Sequence, residues 1–167
     1  MSRTREMLFS ILAEDILDAV VLDLFSGCGS LGLEALSRGA ARVVFVEKNY
    51  RSLETLRKNI ETLGFGDCAF AARLDALGVI NKPAVEERAP FDIVFLDPPY
   101  PMLKDEKGLN RFCFFMERLA RSQLLTPDAT VILRHENDVI DLEALDGWEV
   151  GRVRAFRHAQ WTFLRKV

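Results

Sequence analysis

Hydrophobic positions along this chain fall into short closed blocks, separated by stretches whose apolar residues recur every three or four positions. Val20-Val21-Leu22-Asp23-Leu24-Phe25, Arg42-Val43-Val44-Phe45-Val46 and Phe91-Asp92-Ile93-Val94-Phe95-Leu96 are short and almost continuously apolar, which predicts strands buried on both faces. Residues 68–74 and 129–134 read as two further strands. Between the blocks the period lengthens to that of a helix. One helix is predicted over 3–13, with Met7, Leu8, Ile11 and Leu12 on one side, and a second from Ser30 as N-cap to about Gly39. A third spans 50–63 and closes at Gly64, and a fourth spans 109–124, ahead of Thr126-Pro127-Asp128. Alternating strands and helices imply right-handed βαβ units and a mostly parallel sheet. The end differs: 148–156 and 161–166 are extended with little between them, so they should pair as an antiparallel hairpin.

No repeat, low-complexity tract or linker interrupts the chain, and its 167 residues suit one domain: an N-terminal helix (1–13), a core (20–136) and a terminal hairpin (148–167). With 49% hydrophobic and 28% charged residues the composition is that of a soluble globular protein. No apolar stretch is long enough to cross a bilayer and no secretory leader opens the sequence, so a cytoplasmic location and no membrane partner are expected. Three cysteines without metal-ligand pairing argue against a disulfide framework or a metal site. The net charge of −3 invites no nucleic acid globally. Arg152, Arg154, Arg157, Arg165 and Lys166, with Arg3 and Arg5, could line one basic rim or form the hairpin's solvated face.

Two loops carry chemistry. Asp97-Pro98-Pro99-Tyr100 follows a central strand, which the prolines end because they cannot donate to a ladder. That is where open α/β sheets bind ligands. A carboxylate, a rigid turn with free carbonyls and an aromatic face are the parts needed to hold a planar amino group. Ser26-Gly27-Cys28-Gly29-Ser30-Leu31-Gly32 has the G-x-G-x-x-G spacing and follows Asp23-Leu24-Phe25; alone it is shared by many nucleotide folds. Glu47, ending the second strand, is placed to accept hydrogen bonds from ribose hydroxyls. Cys28 reads as a small loop filler, His135 and His158 lack a triad partner, and 101–110 is a polar segment, either a lid over the acceptor or an ordinary loop.

Five parallel strands and a terminal hairpin are the layout of the Class I methyltransferase sheet, a seven-stranded Rossmann-like α/β fold. A dinucleotide oxidoreductase would continue with another helix and parallel strand. Together, the glycine loop, Val46-Glu47-Lys48-Asn49, Phe91 to Tyr100 and the opening Arg3-Thr4-Arg5-Glu6-Met7-Leu8-Phe9 resemble the bacterial 16S ribosomal RNA guanine-N2 methyltransferases of the RsmD type. Two departures stand out: the resemblance implies a basic, glycine-rich hairpin before the first helix, whereas this sequence starts almost at that helix, and Arg157-His158-Ala159-Gln160 stands where the family often has a Tyr-Gly pair.

The resemblance implies S-adenosylmethionine as cofactor, with no metal. It maps cofactor contacts onto Asp23, Phe25, Ser26, Gly27, Gly29, Glu47, Lys48, Asp75 and Ala76, and catalysis onto Asp97, Pro98, Pro99 and Tyr100. From the residues alone, Asp75 reads equally as a helix N-cap and Lys48 as a solvated lysine. The implied partner is 16S rRNA or the small ribosomal subunit; with no strong association surface, a monomer is expected. Rival readings are a DNA adenine-N6 or protein-glutamine methyltransferase and a nicotinamide-dependent oxidoreductase.

Overall fold

The computed structural model describes residues 2–167. In chain order the elements are α1 (Arg3–Ile11), β1 (Val20–Leu24), α2 (Ser30–Ser37), β2 (Arg42–Val46), α3 (Tyr50–Thr62), β3 (Ala69–Ala72), a 3-10 turn (Ala76–Gly78), α4 (Pro83–Glu86), β4 (Phe91–Leu96), α5 (Tyr100–Lys104), α6 (Glu106–Arg121), β5 (Leu125–Glu136), β6 (Trp148–Phe156) and β7 (Ala159–Lys166). The seven strands form one sheet in the order β3-β2-β1-β4-β5-β7-β6. The first five are parallel, and β7 runs antiparallel between β5 and β6.

The apolar runs are continuous because both faces of the sheet are covered. Successive residues point to opposite sides. Val21, Val43, Phe45, Ile93, Phe95 and Ile132 pack under α1, α2 and α3, while Leu22, Val44, Val94, Leu96, Val131 and Leu133 pack under α6 and the segment before β6. Helix α1 is held by Phe9, whose ring meets Phe95 edge-on at a centroid distance of 5.8 Å.

Gly32 is the glycine of the first loop that packing dictates. A Cβ there would lie 2.3 Å from Phe45 Cε1 and 2.8 Å from Val43 Cγ1, so α2 rides on β2 with no room for a side chain. Gly32→Ala should destabilise the fold by about 1–3 kcal/mol through overpacking. A lower urea midpoint at unchanged slope checks this; a wild-type midpoint would refute the close contact.

Several boundaries differ from the sequence reading. The N-cap of α2 is Gly29 (φ 90°), not Ser30, because the left-handed turn already delivers the chain into the helix. The polar segment 101–110 is helical rather than a loop: Asp105 caps α6 by accepting the Gly108 N–H at 2.9 Å. Gly108, which looks like a breaker, is a close-approach residue whose added Cβ would meet the Met102 carbonyl at 2.2 Å and thus prevent α5 and α6 from meeting. Pro127 lies inside β5, tolerated because the ladder slips there: Phe91 pairs with Leu125 but Ile93 with Thr130. The 3-10 turn and α4 were not foreseen, being too short to show a period.

Candidate functional site

The site is built at the carboxyl ends of β1, β2 and β4. β1 and β4 are neighbours at the sheet's centre, and the chain leaves them toward opposite edges, which opens a crevice between their loops. After β1 the backbone turns through left-handed residues: Phe25 (φ 60°), Gly27 (φ 55°) and Gly29 (φ 90°). Phe25 is not a glycine, so holding it there stores strain of order 1–3 kcal/mol. The loop is clamped to β2 in compensation. Ser26 donates its N–H and its hydroxyl to the Val46 carbonyl at 3.1 and 3.3 Å. Glu47 accepts the Gly27 N–H at 2.8 Å on one oxygen and the Asn49 N–H at 2.7 Å on the other.

Asp23 lies beneath this loop, 1% exposed, and accepts the Gly32 N–H at 2.9 Å. Burial pushes its carboxyl up to about 8; the Gly32 N–H pulls it down, and the Asp97 and Glu47 carboxylates push it further up. A carboxyl poised in this way at the floor of a cleft is a mark of functional sites.

On the β4 side Asp97 is half-buried, Pro98 buried and Pro99 exposed, and Tyr100 opens α5. Burial raises the Asp97 carboxyl, against the opposing pull of the Arg134 guanidinium, whose Nη1 stands 3.4 Å from Asp97 Oδ2. Arg134, two residues before the end of β5, was missed in the sequence. Its signal was available: it follows Val131-Ile132-Leu133 on the strand next to β4, so the strand-end rule that selected Asp97 applies to it too.

A cavity of about 190 Å³ joins the two sides. Phe25, Val46, Leu74 and Ala76 supply apolar wall, while Glu47, Lys48, Asp97 and Pro99 form the rest of its lining. Apolar surfaces for a ring system beside a carboxylate for hydroxyls suit the adenosine part of S-adenosylmethionine, and Gly27 has open space where a side chain would stand. Thus Phe25, Glu47, Lys48, Ala76, Asp97 and Pro99 meet in one crevice. Ser26 and Gly29 act from behind it, Gly29 packed where a Cβ would strike Leu56 at 2.3 Å. Asp75 is engaged elsewhere: it caps the 3-10 turn by accepting the Leu77 N–H at 3.0 Å, and its second oxygen pairs with Arg111 at 2.7 Å. Burial raises its carboxyl, but Arg111, the Leu77 N–H and Lys48 outweigh that and leave it low.

Two surface expectations are corrected. Cys28 is exposed, not a filler; it is its carbonyl that is used, accepting from Asn59 Nδ2 at 3.1 Å. The basic residues do not make one rim. Because β7 runs antiparallel to β5, Arg165 sits opposite Thr130 at the amino end of β5, where Asp15, Asp18, Asp92 and Asp128 share its cavity. Arg154, paired with Trp161, lies toward the crevice instead. His135 is buried and bonded to the Glu136 carbonyl and Thr162, so it forms no triad.

The sheet order and these paired loops define a class I S-adenosylmethionine-dependent methyltransferase. The antiparallel β7 occupies the place where an oxidoreductase would add a parallel strand. The family profile described as Conserved hypothetical protein 95 matches residues 1–165. Ribosomal RNA small subunit methyltransferase D of Haemophilus influenzae is 34% identical over 137 residues, 81% of this chain and 66% of that protein. The protein of the same name from Escherichia coli is 41% identical over 112 residues, 65% of this chain and 52% of that protein. The match thus spans between half and two thirds of these two relatives. The solved Escherichia coli protein yhhF superposes with a TM-score of 0.82 at 28% identity, covering 99% of this chain and 85% of that one. The chain belongs to the Conserved hypothetical protein 95 (RsmD) family.

Proposed function

We propose that this protein transfers the methyl group of S-adenosylmethionine to the exocyclic N2 amine of a guanine in 16S ribosomal RNA, as a cytoplasmic monomer acting on the RNA or the small subunit. The observation that carries the reading is the shared crevice: Asp97, suited to an amine, lines the same cavity as Phe25 and Glu47, suited to a nucleoside. The relatives named for small-subunit rRNA methylation support the choice of RNA over DNA or protein. Among the described residues no helix is long and apolar enough to cross a membrane.

In this reading Glu47 keeps a lone pair on each oxygen for the ribose hydroxyls, Lys48 flanks the adenine, and the Asp75-Ala76 backbone borders its edge. Asp23 faces the methionine portion from below. When bound, the cofactor supplies a methyl group made electrophilic by its sulfonium. An exocyclic amine is a poor nucleophile because its lone pair is delocalised into the ring. Asp97 and the Pro98 carbonyl accept its N–H bonds, which favours a pyramidal nitrogen with the lone pair free to attack. Tyr100 stacks on the base and fixes its approach. Positioning and electrostatics supply the rate, so Asp97 need not be a strong base. A guanine inside a helix must be unpaired or flipped out to enter.

The test is radiolabelled methyl transfer to ribosomal particles from a strain lacking this protein, followed by nucleoside mass spectrometry. N2-methylguanosine in 16S rRNA is expected; label in adenine or in protein would replace the acceptor. Glu47→Ala should weaken S-adenosylhomocysteine binding by about 1.5–3 kcal/mol, the value of hydrogen bonds to a charged group. Calorimetry reads this, and equal affinity would remove the ribose contact.

A further inference from the structure

We propose that Arg134 is a positioning residue of the acceptor pocket, holding the Asp97 carboxylate by a charge-assisted hydrogen bond while its guanidinium rests over the Tyr100 and Trp161 rings. This rests on the function proposed above and assigns it a residue outside the Asp97–Tyr100 motif.

The geometry is specific. The Arg134 carbon Cζ stands 5.7 Å from the centroid of Tyr100 and 5.7 Å from that of Trp161, within the range of cation–π attraction to each. Of its five N–H donors, Nη1 reaches Asp97 at 3.4 Å. Its Nε is buried without a hydrogen-bond partner among the described residues. The guanidinium is thus set by one ion pair and two ring faces. Trp161 is supplied by β7, directly opposite Arg134 in the antiparallel ladder, so the terminal hairpin forms the outer wall of this seat. The hairpin therefore reaches the reacting centre through one side chain. Lysine would keep the charge but lack the planar guanidinium that stacks on a ring.

The electrostatic consequence follows from who surrounds Asp97. Asp23 on β1, Glu47 and Lys48 at the end of β2, Tyr100 on α5 and Arg134 on β5 are the ionisable groups around it. Burial disfavours the charge of Asp97, and Arg134 is the ion-pair partner that opposes it. Without it nothing opposes burial, and the Asp97 carboxyl titrates at higher pH than in wild type.

The experiment follows the Asp97 carboxyl by 13C NMR titration and measures methyl transfer across the pH range in which the protein stays folded, in wild type, Arg134→Gln and Arg134→Lys, each first shown to bind S-adenosylhomocysteine. In Arg134→Gln the carboxyl midpoint and the acidic limb of kcat should move together to higher pH, each pH unit costing about tenfold in transfer on the acid side. Activity should recover at the alkaline end. Arg134→Lys should return the midpoint toward wild type while KM stays raised, since charge is restored and stacking is not. An unmoved midpoint in Arg134→Gln, or a loss of transfer independent of pH, would overturn the proposal. If wild type methylates no 16S rRNA, the substrate reading fails, and the carboxyl titration still decides the role of Arg134.

Discussion

Asp97→Ala is expected to fold, to bind S-adenosylhomocysteine with near wild-type affinity, and to lose methyl transfer by a factor on the order of 10²–10³, the usual cost of removing one group aimed at the transition state. The separation of binding from chemistry follows from where Asp97 stands. In the proposed function it closes the acceptor end of the crevice, with the Glu47 clamp and the Phe25, Leu74 and Ala76 surfaces assigned to the nucleoside end; all of them line one cavity. Its loss also removes one of the carboxylates that raise Asp23, so the floor of the cofactor site becomes easier to ionise rather than harder. Calorimetry and single-turnover transfer on undermethylated particles read the two halves. Transfer within a few-fold of wild type would defeat the role given to Asp97, and parallel loss of both would place it in the cofactor site.

The sequence exposed what depends on the chain's own period. β2 and β4 were legible to the residue because both faces are buried and Arg42 and the prolines mark their limits. The Glu47 position was readable for the same reason. What escaped is what depends on another element. Arg134 acquires its meaning from Asp97, Tyr100 and Trp161, which are brought to it by β4, α5 and β7. Asp75 was legible as a cap, but its partner Arg111 comes from α6 and carries no local signal. The helices in 101–110 were hidden because a polar run with a glycine looks like a loop until Met102 is seen against Gly108. The single basic rim failed because composition does not reveal strand direction; reversing β7 sends Arg165 to the acidic end of the sheet.

Asp23→Asn carries the other large effect, and its sign depends on pH. Folding raises this carboxyl from 3.8 to about 8, so between those values the native state retains a proton that the unfolded chain has released. Stability from this group is full below about 3.8 and falls as pH rises through 8, where the folded protein must bury a charge. Each tenfold in that equilibrium is about 1.4 kcal/mol, so the penalty reaches several kcal/mol. Asparagine copies the neutral form and still accepts from the Gly32 N–H, which removes the penalty. The variant should differ from wild type at low pH by the cost of its buried amide, and gain on wild type steadily as pH rises toward about 8 in thermal melts. On the proposed function it should bind cofactor more weakly, because that reading has the wild-type carboxyl ionise against the methionine ammonium and the sulfonium. Wild type should therefore release a proton on binding near pH 7, seen as a buffer-dependent heat in calorimetry, and Asp23→Asn should not. Buffer-independent heats in wild type, or parallel melting curves across the pH range, would show that Asp23 is not the titrating floor of the site.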